Sequence, residues 1–286
     1  MPLFEKITIV GMGLIGGSVG IATKKMKIAR RVIGLTRDAK HKAAILKAKA
    51  ADAVVQDYAD AIPGSDLVLL AVPVSAMEHC AKDVLLHAGA DTIVTDVGSV
   101  KGPVVASLEE IFARKGKFVG SHPMAGSEKS GIEAADGALF EKALCILTPT
   151  PKTDPKALAQ VQKFWRALGC KCCLSDARDH DRVIAAVSHL PHVLAAVLMH
   201  TTNKAGEGFE DPMKFIGPSF RDMTRIAASS PELWVDIVLN NRWAVLQAIS
   251  GTIEQLEGVR EMVEKRNKDG LLAFFRASQS TRSKLT

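Results

Sequence analysis

Aromatic side chains are scarce in this 286-residue chain, at 5%, and only one is a tyrosine. That scarcity removes the stacking platform a single-stranded nucleic acid needs, although the formal net charge is +6. The basic residues are scattered, so the positive balance reads as a field that concentrates anionic small molecules. No nucleic-acid partner is expected. Cysteine is sparse as well: Cys80, Cys145, Cys170, Cys172 and Cys173 form an odd set without paired CxxC spacing. Neither a metal site nor a disulfide framework is expected from that pattern, only reduced thiols. Long uninterrupted apolar runs are also missing. The stretch from Asp66 to Val74 is too short for a bilayer, and the one from Val187 to Met199 contains His and Pro. No membrane partner is expected, and with no signal-peptide pattern ahead of the first strand, a cytoplasmic address is.

What is present describes a globular protein with a full core: 47% hydrophobic and 24% charged residues, in a length that suggests two domains. Short β-branched runs at Ile7 to Val10, Val32 to Leu35, Leu67 to Val72, Thr92 to Asp96, Lys117 to Val119 and Ala143 to Thr148 predict strands. Between them, Ile15 to Lys27, Lys40 to Ala50, Ser75 to Leu86 and Val104 to Lys115 carry apolar residues at helical spacing. A further helix over Asp154 to Leu168 and a last strand over Lys171 to Leu174 complete a doubly wound α/β domain of Rossmann type over residues 1–176. Strand signals then stop. Helices are expected over Arg178 to Lys204, Ser219 to Ala228, Glu232 to Leu256 and Gly258 to Ser280, giving an all-helical second domain over residues 177–286. The segment Ile184 to Met199 is more apolar than so small a domain can cover, which motivates a homodimer through the helical domain.

Gly11-Met12-Gly13-Leu14-Ile15-Gly16 follows the first strand and opens a helix, the context a dinucleotide fingerprint requires. Gly11 permits the turn, Gly13 lets the backbone approach a pyrophosphate, and Gly16 allows helix to pack on strand. The helix N-terminus around Leu14 and Ile15 supplies free N–H groups. Thr36 stands where an acidic residue would grip the ribose of NAD, and Arg37 follows it. Loss of the anion and gain of a guanidinium favour NADP over NAD. The alternative is that Asp38, one step later, serves the ribose. Val72 and Pro73, closing the next inner strand, are expected to line the cofactor.

Polar clusters follow at strand ends and inside apolar helices: Asp96 to Lys101, Gly120 to Gly131, Ser188 to His192 and Gly217 to Ala227. In an open parallel sheet the strand C-termini face the ligand crevice, which places Ser99 and His122 near the nicotinamide. Taken in order, GMGLIGGS, DVGSVK, GSHPMAGSEKSG, SHLPH and FRDMTRIA resemble the prephenate and arogenate dehydrogenase family, from about residue 6 to Trp234. The resemblance implies a Rossmann domain followed by a helical dimer domain, and oxidative decarboxylation of prephenate or arogenate in tyrosine biosynthesis, with hydride passing to NAD(P). It assigns His122 as the base that accepts the substrate hydroxyl proton, a role that suits a neutral imidazole. Ser99 would hydrogen-bond around that hydroxyl and the nicotinamide.

Under the same resemblance His192 and Arg225 bind the substrate carboxylates and His189 assists, while Glu128, Asp222 and Trp234 gate and shape the pocket. The SEKSG form at Ser127 to Gly131 leans toward prephenate. Remaining histidines, His41, His79, His87, His180 and His200, are expected to be structural or on the surface. Two alternatives share the fold: a β-hydroxyacid-type dehydrogenase, which would place a lysine where this chain has paired histidines, and a non-catalytic nucleotide sensor.

Overall fold

The computed structural model describes residues 1–113, 117–127, 129–206, 208 and 212–285. Six parallel strands form the central sheet: β1 (Phe4–Val10), β2 (Ala29–Leu35), β3 (Ala53–Val55), β4 (Leu67–Leu70), β5 (Ile93–Asp96) and β6 (Lys117–Val119). Their spatial order is β3-β2-β1-β4-β5-β6, so the chain winds outward from β1 in one direction and then, from β4, in the other. The crevice at that reversal is where a dinucleotide sits in folds of this topology. The expected Rossmann architecture is therefore observed. β1 shows why it forms: Ile7 and Ile9 point into one apolar core and Val10 into the other, and β4 alternates in the same way with Leu67 and Leu69 against Val68 and Leu70. Strands buried on both faces read as continuous apolar runs.

Helices cover both faces: α1 (Leu14–Lys25), α2 (Lys42–Lys47), α3 (Tyr58–Ala61), α4 (Val74–His87), α5 (Gly102–Phe112) and α6 (Pro155–Ala167). Local chemistry sets several of their ends. Asp154 accepts a hydrogen bond from the Ala157 N–H at 2.8 Å with Pro155 in the first turn of α6, an N-terminal cap of the usual kind.

The observed elements depart from the sequence expectation in places. β3 and α3 are additional elements. The strand at Leu144 lies outside the main sheet: β7 (Ser121–Pro123), β8 (Leu144–Leu147) and β9 (Lys171–Leu174) form a separate three-stranded sheet in which β7 runs antiparallel to β8. β7 is the direct continuation of β6 past Gly120, so the chain leaves one sheet and enters another within a residue. A Cβ on Gly120 would lie 2.5 Å from the Thr148 hydroxyl, which is why this corner takes glycine.

From Ala177 onward the chain is helical: α7 (Ala177–Ile184), α8 (Leu190–Ala205), α9 (Pro218–Thr224), α10 (Pro231–Asn240), α11 (Arg242–Glu264) and α12 (Lys268–Arg282). α7 and α8 are one continuous run joined by a π-helical turn over Ala185–His189. Pro191 has no N–H and its ring crowds the carbonyl four residues back, so the ladder widens just ahead of it. The expected helix from Glu232 to Leu256 is broken at Asn241, and the next break lies at Lys265–Asn267 instead of Leu256–Gly258. The last helix runs to Arg282, two residues past its expected end at Ser280.

Candidate active site

The glycine motif occupies the turn between β1 and α1. Gly11 has φ +92°, and a Cβ there would stand 2.3 Å from the Ala71 carbonyl oxygen. A Cβ on Gly16 would lie 1.9 Å from the Gly11 carbonyl oxygen. Both positions therefore require glycine, while Gly13 faces open space and caps α1 without a side chain. A helix N-terminus with no side-chain cap and no acidic residue in its first turn is a ready anion site, and it fits the pyrophosphate of a dinucleotide. Thr36, half-buried, and exposed Arg37 follow β2, and Val72 and Pro73 lead from β4 into α4.

His122 lies on β7 and is buried. Burial, with the His180, Lys101 and His189 rings and charges nearby, holds it well below the usual imidazole range, so it is neutral near pH 7. Ser99, half-buried, sits in the loop between β5 and α5. Two residues on, the Lys101 side chain is 0% exposed; its ammonium pairs with Asp96 and donates to the Ser121 carbonyl at 2.9 Å, on the strand that carries His122.

From the helical side, the π-helical turn delivers His189, fully buried. Asn241 fixes its protonation. The Asn241 amide nitrogen donates to the Asp181 carbonyl at 2.9 Å, and the same nitrogen lies 3.1 Å from His189 Nδ1, which must then accept. The proton therefore sits on His189 Nε2, a buried donor that meets no hydrogen-bond partner among the described residues. Burial pushes the ring down to about 4, opposed by Asp181, so it remains neutral. His192, one turn on, stacks on Trp234 with centroids 3.4 Å apart and planes at 22°. Burial lowers its basicity, its hydrogen bond to the Ser188 carbonyl at 3.1 Å opposes that, and the Arg225 charge lowers it further.

The structure thus gathers His122, His189, His192 and Trp234 from β7, the π turn, α8 and α10. Arg225 follows α9, near enough for its charge to act on His192; Asp222 is exposed on α9; Glu128 lies outside the described residues. His180, expected to be structural or on the surface, is buried, and its Nε2 lies 2.8 Å from His122 Nδ1. An apolar hollow of about 520 Å³ shares His192 and Trp234 with this site but contains neither Ser99 nor His122, and its walls suit hydrocarbon better than carboxylates.

Residues 19–174 match the family described as "Prephenate dehydrogenase, nucleotide-binding domain", and residues 176–277 match "Prephenate dehydrogenase, dimerization domain". The chain belongs to the prephenate dehydrogenase family. It is 36% identical to the cyclohexadienyl dehydrogenase of Zymomonas mobilis over 285 residues, covering 99% of this chain and 96% of that protein. To the prephenate dehydrogenase of Bacillus subtilis it is 34% identical over 283 residues, 98% of this chain and 76% of that one. The crystal structure of Aquifex aeolicus prephenate dehydrogenase in complex with hydroxyphenyl propionate and NAD+ superposes with a TM-score of 0.93 at 33% identity, covering 99% of this chain and 98% of that chain. Membership makes this protein a dehydrogenase that uses a pyridine nucleotide.

Proposed function

We propose that the protein oxidatively decarboxylates prephenate to 4-hydroxyphenylpyruvate, and accepts arogenate, which differs at one side-chain substituent, as a second substrate. The observation that carries this reading is a buried, neutral His122 facing a helical wall with His189, His192 and Arg225. A dinucleotide with its pyrophosphate at the glycine cradle would supply the nicotinamide as hydride acceptor. His122 accepts the hydroxyl proton of the substrate ring, and Ser99 orients that hydroxyl. Arg225 and His192 hold the carboxylates, His189 Nε2–H adds a neutral donor, and Trp234 packs His192 in place. Asp222 and Glu128 are proposed to steer entry.

NADP is the proposed cofactor. Arg37 is exposed at the end of β2 and able to meet a 2′-phosphate, and the Asp38 carboxylate accepts from the Lys40 N–H at 2.9 Å, turned to its own backbone. The Aquifex aeolicus relative solved with NAD+ supports the other choice.

A homodimer through the helical domain, with the division between domains at residue 176 and a cytoplasmic address, completes the proposal. The run Ala177–Ala205 is long and apolar enough to cross a membrane by length and composition, with 22% of its most apolar window buried. Val187 on the π turn and Val197 on α8 stand exposed, as do Val235 and Leu239 on α10, the last two lining the apolar hollow, and a second copy would cover them.

Purified protein given prephenate and NADP should release carbon dioxide, 4-hydroxyphenylpyruvate and NADPH in equal amounts. NADPH formed from a hydroxy acid with no carbon dioxide release would instead favour the hydroxyacid reading. Arg37→Ala should weaken NADP at least tenfold and leave NAD unchanged; equal effects on both would contradict the NADP assignment.

A further inference from the structure

We infer that His122, His180 and Asp181 form one hydrogen-bonded chain that fixes His122 as the Nδ1–H tautomer and leaves its Nε2 lone pair as the proton acceptor, with His180 and Asp181 as positioning residues. This rests on the proposed function.

The directions of the bonds follow from what each group can do. A carboxylate only accepts, so His180 Nδ1, 2.8 Å from Asp181 Oδ1, carries the proton. With a single proton on the His180 ring, its Nε2 is a lone pair, and the 2.8 Å contact to His122 Nδ1 is a hydrogen bond only if His122 donates. The proton of a neutral His122 is thereby committed to Nδ1. The two rings meet nearly edge to face, with centroids 5.1 Å apart and planes at 69°, a geometry in which one ring nitrogen points at the other.

Asp181 is itself held rigidly. Its Oδ1 accepts from the Lys101 N–H and its Oδ2 from the Gly102 N–H, each at 2.7 Å, at the start of α5. Those donors follow Ser99 by two and three residues. A single carboxylate on α7 therefore ties the helical domain to the loop that bears Ser99 and, through His180, to the ring of His122. The titratable and charged groups around His122 come from both sides: His180 and Asp181 on α7 and His189 on the π turn, with Lys101 before α5 and Asp96 at the end of β5. Lys101 and Asp96 pair with each other, so Asp181 is the anion in line with the base.

During the reaction the hydroxyl proton passes to His122 Nε2 and the carbinol hydride to the nicotinamide. The bond to the ring carboxylate breaks, its electron pair entering the ring, and carbon dioxide leaves; the phenolic oxygen then recovers the proton from Nε2. The positive charge that His122 carries in between strengthens its bond to His180, which Asp181 polarises.

The test is the pH profile of kcat/KM with prephenate for the wild type, Asp181→Asn and His180→Gln. Both variants should lose about 10²-fold in kcat, the scale of a misplaced catalytic group, with KM little changed. In Asp181→Asn the acid limb should move to lower pH, because the base has lost the anion that favoured its protonated form. A merely structural role would lower the plateau without moving the limb, and an unmoved limb overturns the proposal. Should the variants not fold, ¹⁵N-histidine NMR of the wild-type protein reads the tautomer directly: a bare Nε2 on His122 supports the chain, and a proton on Nε2 overturns it. Wild-type protein inactive on both prephenate and arogenate would refute the proposed function instead, and the tautomer spectrum would still decide the chain.

Discussion

Replacing Lys101 with methionine tests how the site is held together. Met preserves most of the apolar stem but removes an ammonium that is 0% exposed, paired with an equally buried Asp96 and donating to the Ser121 carbonyl. Breaking a buried ion pair by deleting one partner costs about 3–5 kcal/mol, chiefly because the other charge is left uncompensated. Asp96 keeps two backbone donors, the Gly98 N–H at 2.8 Å and the Ser121 N–H at 3.1 Å, so the lower end, about 3 kcal/mol, is expected. Denaturant unfolding at fixed protein concentration should show that loss in the midpoint with an unchanged slope. Adding Asp96→Asn should recover at least about 1 kcal/mol, since paired groups are not additive. A loss below about 1 kcal/mol for Lys101→Met, or strict additivity in the double variant, would refute the reasoning.

His122→Asn should retain cofactor binding and lower turnover by about 10² to 10⁴, the share of a positioned general base, as steady-state kinetics would show. Arg225→Ala should act mainly on KM, since a carboxylate clamp serves ground and transition states alike. Gly16→Ala should weaken dinucleotide binding at least tenfold by calorimetry, because its Cβ would meet the Gly11 carbonyl oxygen at 1.9 Å and force α1 off the turn. Stability should fall on acidification. His189 titrates near 4 when folded against 6.5 for the free ring, so the unfolded chain binds the extra proton first; the stability is complete above about 6.5 and is lost as pH falls toward 4. The lowered His122 acts in the same direction. Thermal melts across that range should show the decline, and flat melting temperatures would contradict it.

Some of this was legible in the sequence because the constraint is local. The glycines of the β1–α1 turn are required by contacts within a few residues and one neighbouring strand, and the doubly buried strands announce themselves as apolar runs. His122 stood out because a polar motif followed a strand end. His180 did not, because Arg178-Asp179-His180-Asp181-Arg182 reads as a solvated helix start; what buries it is a strand 58 residues earlier in the chain. Asp181 and Lys101 were hidden in the same way, their roles fixed by partners 80 residues apart. β3 and β7 have three residues each, too few for a periodic signal, and their pairing is dictated by the neighbouring strand. Asn241 breaks the predicted long helix, where its side chain bonds the Asp181 carbonyl and His189.

The most direct test of the account is the initial rate of nicotinamide reduction by wild-type protein and His122→Asn, with prephenate and arogenate each offered NAD and NADP. Activity with prephenate is expected, faster with NADP than with NAD, with near-complete loss in His122→Asn while the cofactor still binds. Wild-type protein that binds cofactor but reduces it with neither substrate, or a His122→Asn variant that turns over normally, would contradict it.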